Sequence, residues 1–219
     1  ITPLDGQAVL TGLGPKAGLL SQFMAQGQAK AVPPGLVVPR DQLDAASIDQ
    51  TIQQVAKAPW ATGEVIIRSC AGDEDTDGLS AGRYDSVVST LEPDALKAAF
   101  IKVAASMAAD ERAPAITAQD AVLVQPLITA RYSGVAFSHN PLNPLTGLIE
   151  YSAAAEAVTS ATGESQTAQI DRNRHRLMDS HGDHAQMLRQ VWRHCQRAEA
   201  MLEGPVDVEW AYDGTQVQV

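Results

Sequence analysis

The sequence predicts an α+β protein, because strand-like and helix-like segments follow one another without the strict alternation of a parallel α/β sheet. Short apolar runs at 65–67 and 122–124 have the length and β-branched content of buried strands. The apolar residues of segments 92–110 and 185–202 recur at helical spacing, which indicates amphipathic helices. The last fifteen residues, 205–219, have the alternation and turn residues of a β-hairpin.

Composition limits the class of protein. The 219 residues are 45% hydrophobic and 19% charged, which is typical of a globular chain. Sixteen basic residues against 26 acidic ones give a net charge of −10, which argues against a nucleic-acid-binding surface. Nucleotide binding is compatible with this net charge, since a nucleotide site needs only a local group of cations and a magnesium ion.

The two cysteines and the apolar segments indicate the compartment. Cys70 and Cys195 lie far apart and in no metal-ligand spacing, so we expect free thiols in a reducing cytoplasm. No apolar run approaches the roughly 20 residues of a membrane span, and no signal peptide opens the chain. We therefore expect neither a membrane nor a nucleic-acid partner.

The N-terminal segments bring a lysine to the start of a helix. Residues 9–24 predict a glycine-rich turn followed by a helix with Pro15 in its first turn. Lys16 then lies where a helix start already favours an anion. A proline-fixed turn leads into a short strand within 31–39, and segment 41–56 is predicted to be helical.

Segment 64–90 contains the most informative pattern. Its apolar run ends in Arg68, whose guanidinium can bind a phosphate through a fork of donors. A loop with three glycines and a strand-like run, 84–90, follow. The pattern is neither a Walker loop nor a dinucleotide fingerprint. A β-hairpin in which Arg68 pairs with Glu74 or Asp75 is the alternative.

The C-terminal half ends in a pair of carboxylates. Strands are predicted at 120–128 and 131–138, and a further strand begins at 148. Alternation in the terminal hairpin places Asp207 and Glu209 on one face of a strand. Two carboxylates close to a polyphosphate suit Mg²⁺, although a solvent-facing pair without a ligand is the simpler interpretation.

Several motifs resemble the nucleotide-binding domain of the phosphoenolpyruvate synthase and pyruvate phosphate dikinase family. The resemblance extends over nearly the whole chain, in the same order. The matching motifs are Arg68-Ser69-Cys70, Glu74-Asp75, Ser80-Ala81-Gly82, the strands 120–128 and 131–138, and the hairpin 205–214 with its Asp-Val-Glu-Trp-Ala wording.

The resemblance implies an ATP-grasp fold with two lobes of mixed or antiparallel sheets flanked by helices and the nucleotide site between the lobes. It places the N-terminal, phosphate-contacting lobe at 1–119 and the C-terminal lobe, with adenine hinge and magnesium hairpin, at 120–219. We expect the chain to be one part of a larger dikinase-like protein.

The resemblance also assigns roles to individual residues. Lys16 and Arg68 would hold the phosphates during catalysis, and the loop at Gly82 would cover them. The resemblance further implies that the adenine contacts Gln125, Leu127 and Ile128 and that the ribose contacts Glu156. It also implies that Mg²⁺ binds to Asp207 and Glu209.

The implied activity is that of an ATP-dependent phosphotransferase. Mg-ATP would give a phosphoryl or pyrophosphoryl group to a histidine on a swivelling domain, and a substrate domain would use it; either domain can belong to the same polypeptide or to a separate subunit. The sequence departs from the family motifs in places; for example, it has His139-Asn140-Pro141 where the family has Arg-Asp-Pro. Two alternative functions therefore stay open. One is a degenerate nucleotide-binding or scaffold module, and the other is an ATP-dependent condensing enzyme.

Overall fold

The computed structural model describes residues 1–71, 85–108, 120–153 and 165–219. The chain divides into two compact units, Ile1–Leu127 and Ile128–Val219. The division lies between residues 127 and 128 rather than between 119 and 120, where the sequence analysis places it. The reason is strand pairing, because the strand Ala121–Pro126 pairs on both sides with strands of the first unit.

The first unit contains an antiparallel five-stranded sheet among its described residues. Its strands are β1 (Thr2–Leu4), β2 (Gly35–Pro39), β3 (Val65–Cys70), β4 (Ser86–Ser89) and β5 (Ala121–Pro126), in the order β1-β2-β5-β3-β4. Its helices are α1 (Pro15–Phe23), which a π-helical turn (Met24–Gln28) extends, α2 (Ile48–Ala56) and α3 (Pro93–Ala108).

Alternation along β3 divides the first sheet into two faces. Val65 and Ile67 are fully buried in a core formed with α2 and α3, to which α3 contributes Leu96 and Phe100. Each large apolar side chain removed from water in this way contributes about 1.5–3 kcal/mol. Arg68 lies on the opposite face of the sheet, since successive strand residues point to opposite sides.

The second unit contains an antiparallel six-stranded sheet covered by one long helix among its described residues. The strands are β6 (Tyr132–Phe137), β7 (Thr146–Ala153), β8 (Gln166–Asp171), β9 (Arg176–Leu177), β10 (Asp207–Tyr212) and β11 (Val217–Gln218), in the order β11-β10-β6-β7-β8-β9. The helix is α4 (Ala185–Leu202), which follows a 3₁₀ turn (Gly182–His184).

Most predicted elements are confirmed in type and place, and the α+β class is confirmed with them. The predicted helix 41–56 differs, because Arg40–Leu43 form a 3₁₀ turn and α2 starts only at Ile48. The Asp44 carboxylate accepts hydrogen bonds from the amides of Ala46 and Ser47 at 3.0 and 2.8 Å, which turns the chain between the two segments. These hydrogen bonds hold the pKa of Asp44 below its ordinary value.

None of the helices in the described ranges combines the length and the apolar character needed to cross a lipid bilayer.

Candidate nucleotide-binding site

Cys70 fixes the turn before α1 to the end of β3. The Ala17 amide donates a hydrogen bond to Cys70 Sγ at 3.2 Å, and the thiol donates to the Leu13 carbonyl at 3.5 Å. Gly14 has a φ of 74°, and a Cβ at this position would collide with the carbonyl and the sulfur of Cys70. Glycine at position 14 is therefore what allows the turn to lie this close to β3.

This turn brings two of the predicted phosphate ligands together. Lys16 is the second residue of α1, and its Nζ donates to the Ser69 carbonyl at 3.4 Å. Ser69 follows Arg68 directly, and Arg68 shares its face of the sheet with Cys70. Both cationic side chains are half-buried. They therefore lie near each other at the end of β3, on the face opposite α2 and α3.

The start of α1 adds to the positive character of this end of β3. The first turn of α1 contains no acidic residue, and its Ala17 amide is already bonded to Cys70 Sγ. The first amides of a helix lack intrahelical partners and carry the positive end of the helix dipole. Lys16, Arg68 and this helix start together form an arrangement that suits a phosphate anion.

Two residues of the predicted adenine-binding segment 125–128 form hydrogen bonds within the protein. Gln125 is buried, and its Nε2 donates to the Pro33 carbonyl at 2.8 Å, so its side chain holds the proline turn in place. The Leu127 amide donates to the Glu64 carbonyl at 3.0 Å. Among the described residues no hydrogen bond engages the Ile128 amide, so Ile128 retains a main-chain donor for a base.

The carboxylate pair of β10 is exposed as the alternation predicts. Asp207 and Glu209 point away from α4, whereas Trp210 is buried in the core against it. Ser138 fixes the start of this strand, because its amide donates to the Val206 carbonyl and its Oγ accepts from the Val206 amide, both at 2.9 Å. Partial burial of the carboxyl group raises the pKa of Asp207 above its ordinary value.

The donor set of β10 is compatible with magnesium. Glu209 pairs with Val135 and Val135 pairs with Glu150, so a third carboxylate lies on the same face, two strands or roughly 10 Å away. In the described part of the chain, no three metal-binding side chains form one cluster. Mg²⁺ usually takes one or two carboxylates and completes its shell with water and substrate phosphates, so Asp207 and Glu209 fit an ion that arrives with a nucleotide.

Two predicted site residues, Gly82 and Glu156, lie outside the described residues. Glu74 and Asp75, the alternative partners of Arg68, lie there as well. Their roles stay predictions.

The structure also contains polar contacts that the sequence analysis missed. His184 lies between two tyrosines, with Nε2 at 3.1 Å from the Tyr132 hydroxyl and Nδ1 at 3.4 Å from the Tyr151 hydroxyl. Burial raises the pKa of Tyr151. These three residues link β6, β7 and the start of α4. No local pattern predicts such a contact, because the residues are far apart in the sequence.

His139 contacts a serine and a glutamate without forming a catalytic relay. Ser138 Oγ and Glu199 Oε1 both lie 3.2 Å from the same ring nitrogen, Nδ1. A nucleophile-activating histidine contacts its serine and its carboxylate through different nitrogens. The Ser138 hydroxyl moreover serves the Val206 amide, so this arrangement is structural.

Comparisons with known proteins give a family match and distant structural likenesses. Among solved structures, the D-alanyl-alanine synthetase A of Vibrio cholerae O1 biovar eltor matches with 13% identity and a TM-score of 0.46. The match covers 90% of this chain and 53% of the synthetase, so the chain spans about half the length of that protein. Comparison with curated proteins gives no match.

The family comparison covers the middle of the chain. The model of the pyruvate phosphate dikinase AMP/ATP-binding domain matches residues 39–181, about two thirds of the sequence. Arg68 and segment 125–128 lie inside this range, whereas Lys16, Asp207 and Glu209 lie outside it. With more than half of its length matched, the chain belongs to the family of pyruvate phosphate dikinase AMP/ATP-binding domains.

Proposed function

We propose that this chain binds Mg-ATP and carries out the ATP half-reaction of a dikinase-like phosphotransferase. The chain belongs to a family of AMP/ATP-binding domains, which supports a nucleotide as the ligand. The observation that carries the proposal is the position of Lys16 Nζ, 3.4 Å from the carbonyl of the residue after Arg68. Two cations beside the start of a helix give a phosphate-binding group that neither residue provides alone.

The proposed ligands have different roles in the chemistry. Lys16 and Arg68 of the first unit neutralise negative charge on the phosphates, and fixed donors of this kind stabilise the charge that develops as a phosphoryl group leaves. Asp207 and Glu209 would hold Mg²⁺, which would neutralise part of the phosphate charge. The Ile128 amide donates to the adenine edge.

The acceptor is a histidine on a separate swivelling domain. A bond forms between the phosphorus and a ring nitrogen, and the bond between that phosphorus and the oxygen of the departing nucleotide breaks. The nucleotide leaves as ADP if one phosphoryl group is transferred and as AMP if a pyrophosphoryl group is transferred.

The cation pair is tested by calorimetric titration with Mg-ATP. We expect Lys16→Ala and Arg68→Ala each to weaken binding about tenfold or more, since each removes a charge-assisted contact. Lys57→Ala removes the same charge from the exposed end of α2 and should leave the affinity unchanged. Wild-type affinity in both site variants would contradict the proposed phosphate site.

The metal ligands are tested by the magnesium dependence of binding. Glu209→Ala should remove the magnesium-dependent part of ATP affinity and leave the circular dichroism spectrum unchanged, because Glu209 is exposed. Glu150→Ala is the matched control, since it removes an equal charge from the same face two strands away. Unchanged magnesium dependence in Glu209→Ala, or an equal loss in Glu150→Ala, would remove this assignment.

Transfer is tested separately from binding. Isotopic phosphoryl exchange should occur with the wild-type chain when a histidine-bearing partner domain is supplied, and it should be absent from Arg68→Ala. Tight Mg-ATP binding without exchange, even with the partner present, would favour a nucleotide-binding module that transfers nothing.

A further inference from the structure

A cavity of about 430 Å³ lies in the second unit, between the end of β9 and the first turns of α4. Its volume lies within the range of small-molecule sites. The lining residues used below are Arg176, Asp179, His181, Gly182, Ala185 and Arg189.

The cavity is distinct from the carboxylate pair of β10. Within the second sheet, β9 lies four strand spacings from β10, which corresponds to roughly 19 Å. Asp207 and Glu209 also point away from α4, whereas α4 forms part of the cavity wall. The two sites therefore do not share residues.

The cavity is basic in a chain that is acidic overall. Arg176 and Arg189 both line it, and Asp179 is the one carboxylate among its lining residues. Neighbouring arginines are already paired, since Arg172 contacts Glu199 at 2.7 Å and Arg174 contacts Asp171 at 3.5 Å.

Arg176 and Arg189 differ from these neighbours. Within the described residues, no carboxylate lies within ion-pair distance of either guanidinium. Both arginines are exposed, and guanidinium groups that line one cavity without an ion pair to its carboxylate are available to an external anion.

A buried imidazole nitrogen also lacks a partner. His181 lines the cavity, and its Nε2 is buried without a hydrogen bond among the described residues. This atom is closed to solvent, so it does not face the open cavity and cannot serve as a ligand donor without rearrangement. The 3₁₀ turn before α4 contains Asp183, and the Ala185 amide already donates to the Gly182 carbonyl, so the two arginines alone carry the positive character of the cavity.

We propose that this cavity binds the phosphate group of a small molecule. Arg176 and Arg189 donate to the phosphate oxygens. The planar guanidinium groups fit the paired oxygens of a phosphate better than an ammonium group does. The site is separate from the nucleotide site proposed above and does not depend on it.

The test is a titration of the full chain with inorganic phosphate at low ionic strength. Two-dimensional ¹H–¹⁵N nuclear magnetic resonance spectra, recorded at each phosphate concentration, monitor binding. The chain carries Arg68→Ala throughout, so that the proposed nucleotide site does not contribute. We expect saturable shifts of the Gly182 and Ala185 amides. Arg176→Gln and Arg189→Gln should each weaken phosphate binding about tenfold.

Arg193→Gln is the control, because it removes the same charge one turn further along α4 from Arg189, outside the cavity lining. It should leave the affinity unchanged. A parallel titration with AMP identifies the source of the phosphate: tighter binding than inorganic phosphate indicates a nucleotide, and equal binding indicates the phosphate group alone. Absent shifts, unchanged affinity in both cavity variants, or an equal loss in Arg193→Gln would overturn the proposal.

Discussion

Gly14 and Cys70 determine where Lys16 lies. A lysine after a glycine-rich turn is compatible with many positions, and the sequence alone left a solvated surface residue open. The thiol of Cys70 contacts both sides of the turn, and the φ of Gly14 permits the close approach. The proposed phosphate ligand is predictable from its type and its place at a helix start, whereas its position depends on two neighbours that carry no charge.

Asp207 shows how partial burial of a carboxyl group opposes its ionisation. Partial burial raises the pKa of its carboxyl group above the ordinary value of 3.8, so the native state binds this proton more tightly than the unfolded state. Stability therefore decreases as the pH rises from about 3.8 through the raised pKa, and the penalty is constant above it.

We expect Asp207→Asn to be more stable than the wild type at pH 7, by less than about 1 kcal/mol, since water still screens this exposed group. The difference should shrink as the pH falls toward 4. Denaturant midpoints at several pH values between 4 and 7 measure it. A difference that stays constant over this range, or a variant that is less stable at pH 7, would contradict the assigned cause.

At the scale of elements, α4 and the second sheet are held together by one apolar stripe. Leu188, Val191, Trp192 and Cys195 recur at helical spacing and are all buried against the sheet. Burial raises the pKa of the Cys195 thiol to about 12, with a smaller contribution from Glu199, so this cysteine is a packing residue rather than a nucleophile. The periodicity predicted this helix and its buried face before any contact was known.

Gly147 of β7 provides the test of this packing. A Cβ at Gly147 would collide with the outer ring atoms of Trp192, so Gly147→Ala should cost about 1–3 kcal/mol of unfolding free energy. Gly63→Ala is the control, because nothing lies within 4 Å of a Cβ there, and it should change stability by less than about 0.5 kcal/mol.

The collision can be isolated with a second substitution. In a Trp192→Leu background the larger ring is absent, so Gly147→Ala should cost less than in the wild type, with a coupling of about 0.5 kcal/mol or more. Urea unfolding of the four proteins measures this coupling. Additive effects would show that Trp192 is not what excludes a side chain at Gly147.

At the scale of the whole molecule, the chain forms two units with separate cores. Val122 and Val124 of β5 belong to the first core, and Ile149 and Leu188 belong to the second. The family resemblance placed β5 with the C-terminal lobe. Its pairing with β2 and β3 places it in the first unit.

This division predicts the behaviour of two fragments. Residues 128–219 should fold alone and unfold cooperatively in urea, because they retain every strand of the second sheet. Residues 120–219 add β5 without β2 and β3, which exposes an apolar strand, so this fragment should aggregate. Size-exclusion chromatography and circular dichroism compare them. A monomeric fragment 120–219 of higher stability than 128–219 would contradict the boundary.

The sequence by itself determined the α+β class, nearly every element, the family, and the residue types suited to phosphate and magnesium. These features are predictable because periodicity, helix caps and motif sequences are local properties of the chain. Tertiary structure decided which cations lie together, that Gln125 holds a proline turn, that β5 belongs to the first unit, and that Arg176, His181 and Arg189 share a cavity. These features depend on strand pairing and on contacts between residues far apart in the chain. No local pattern encodes such contacts.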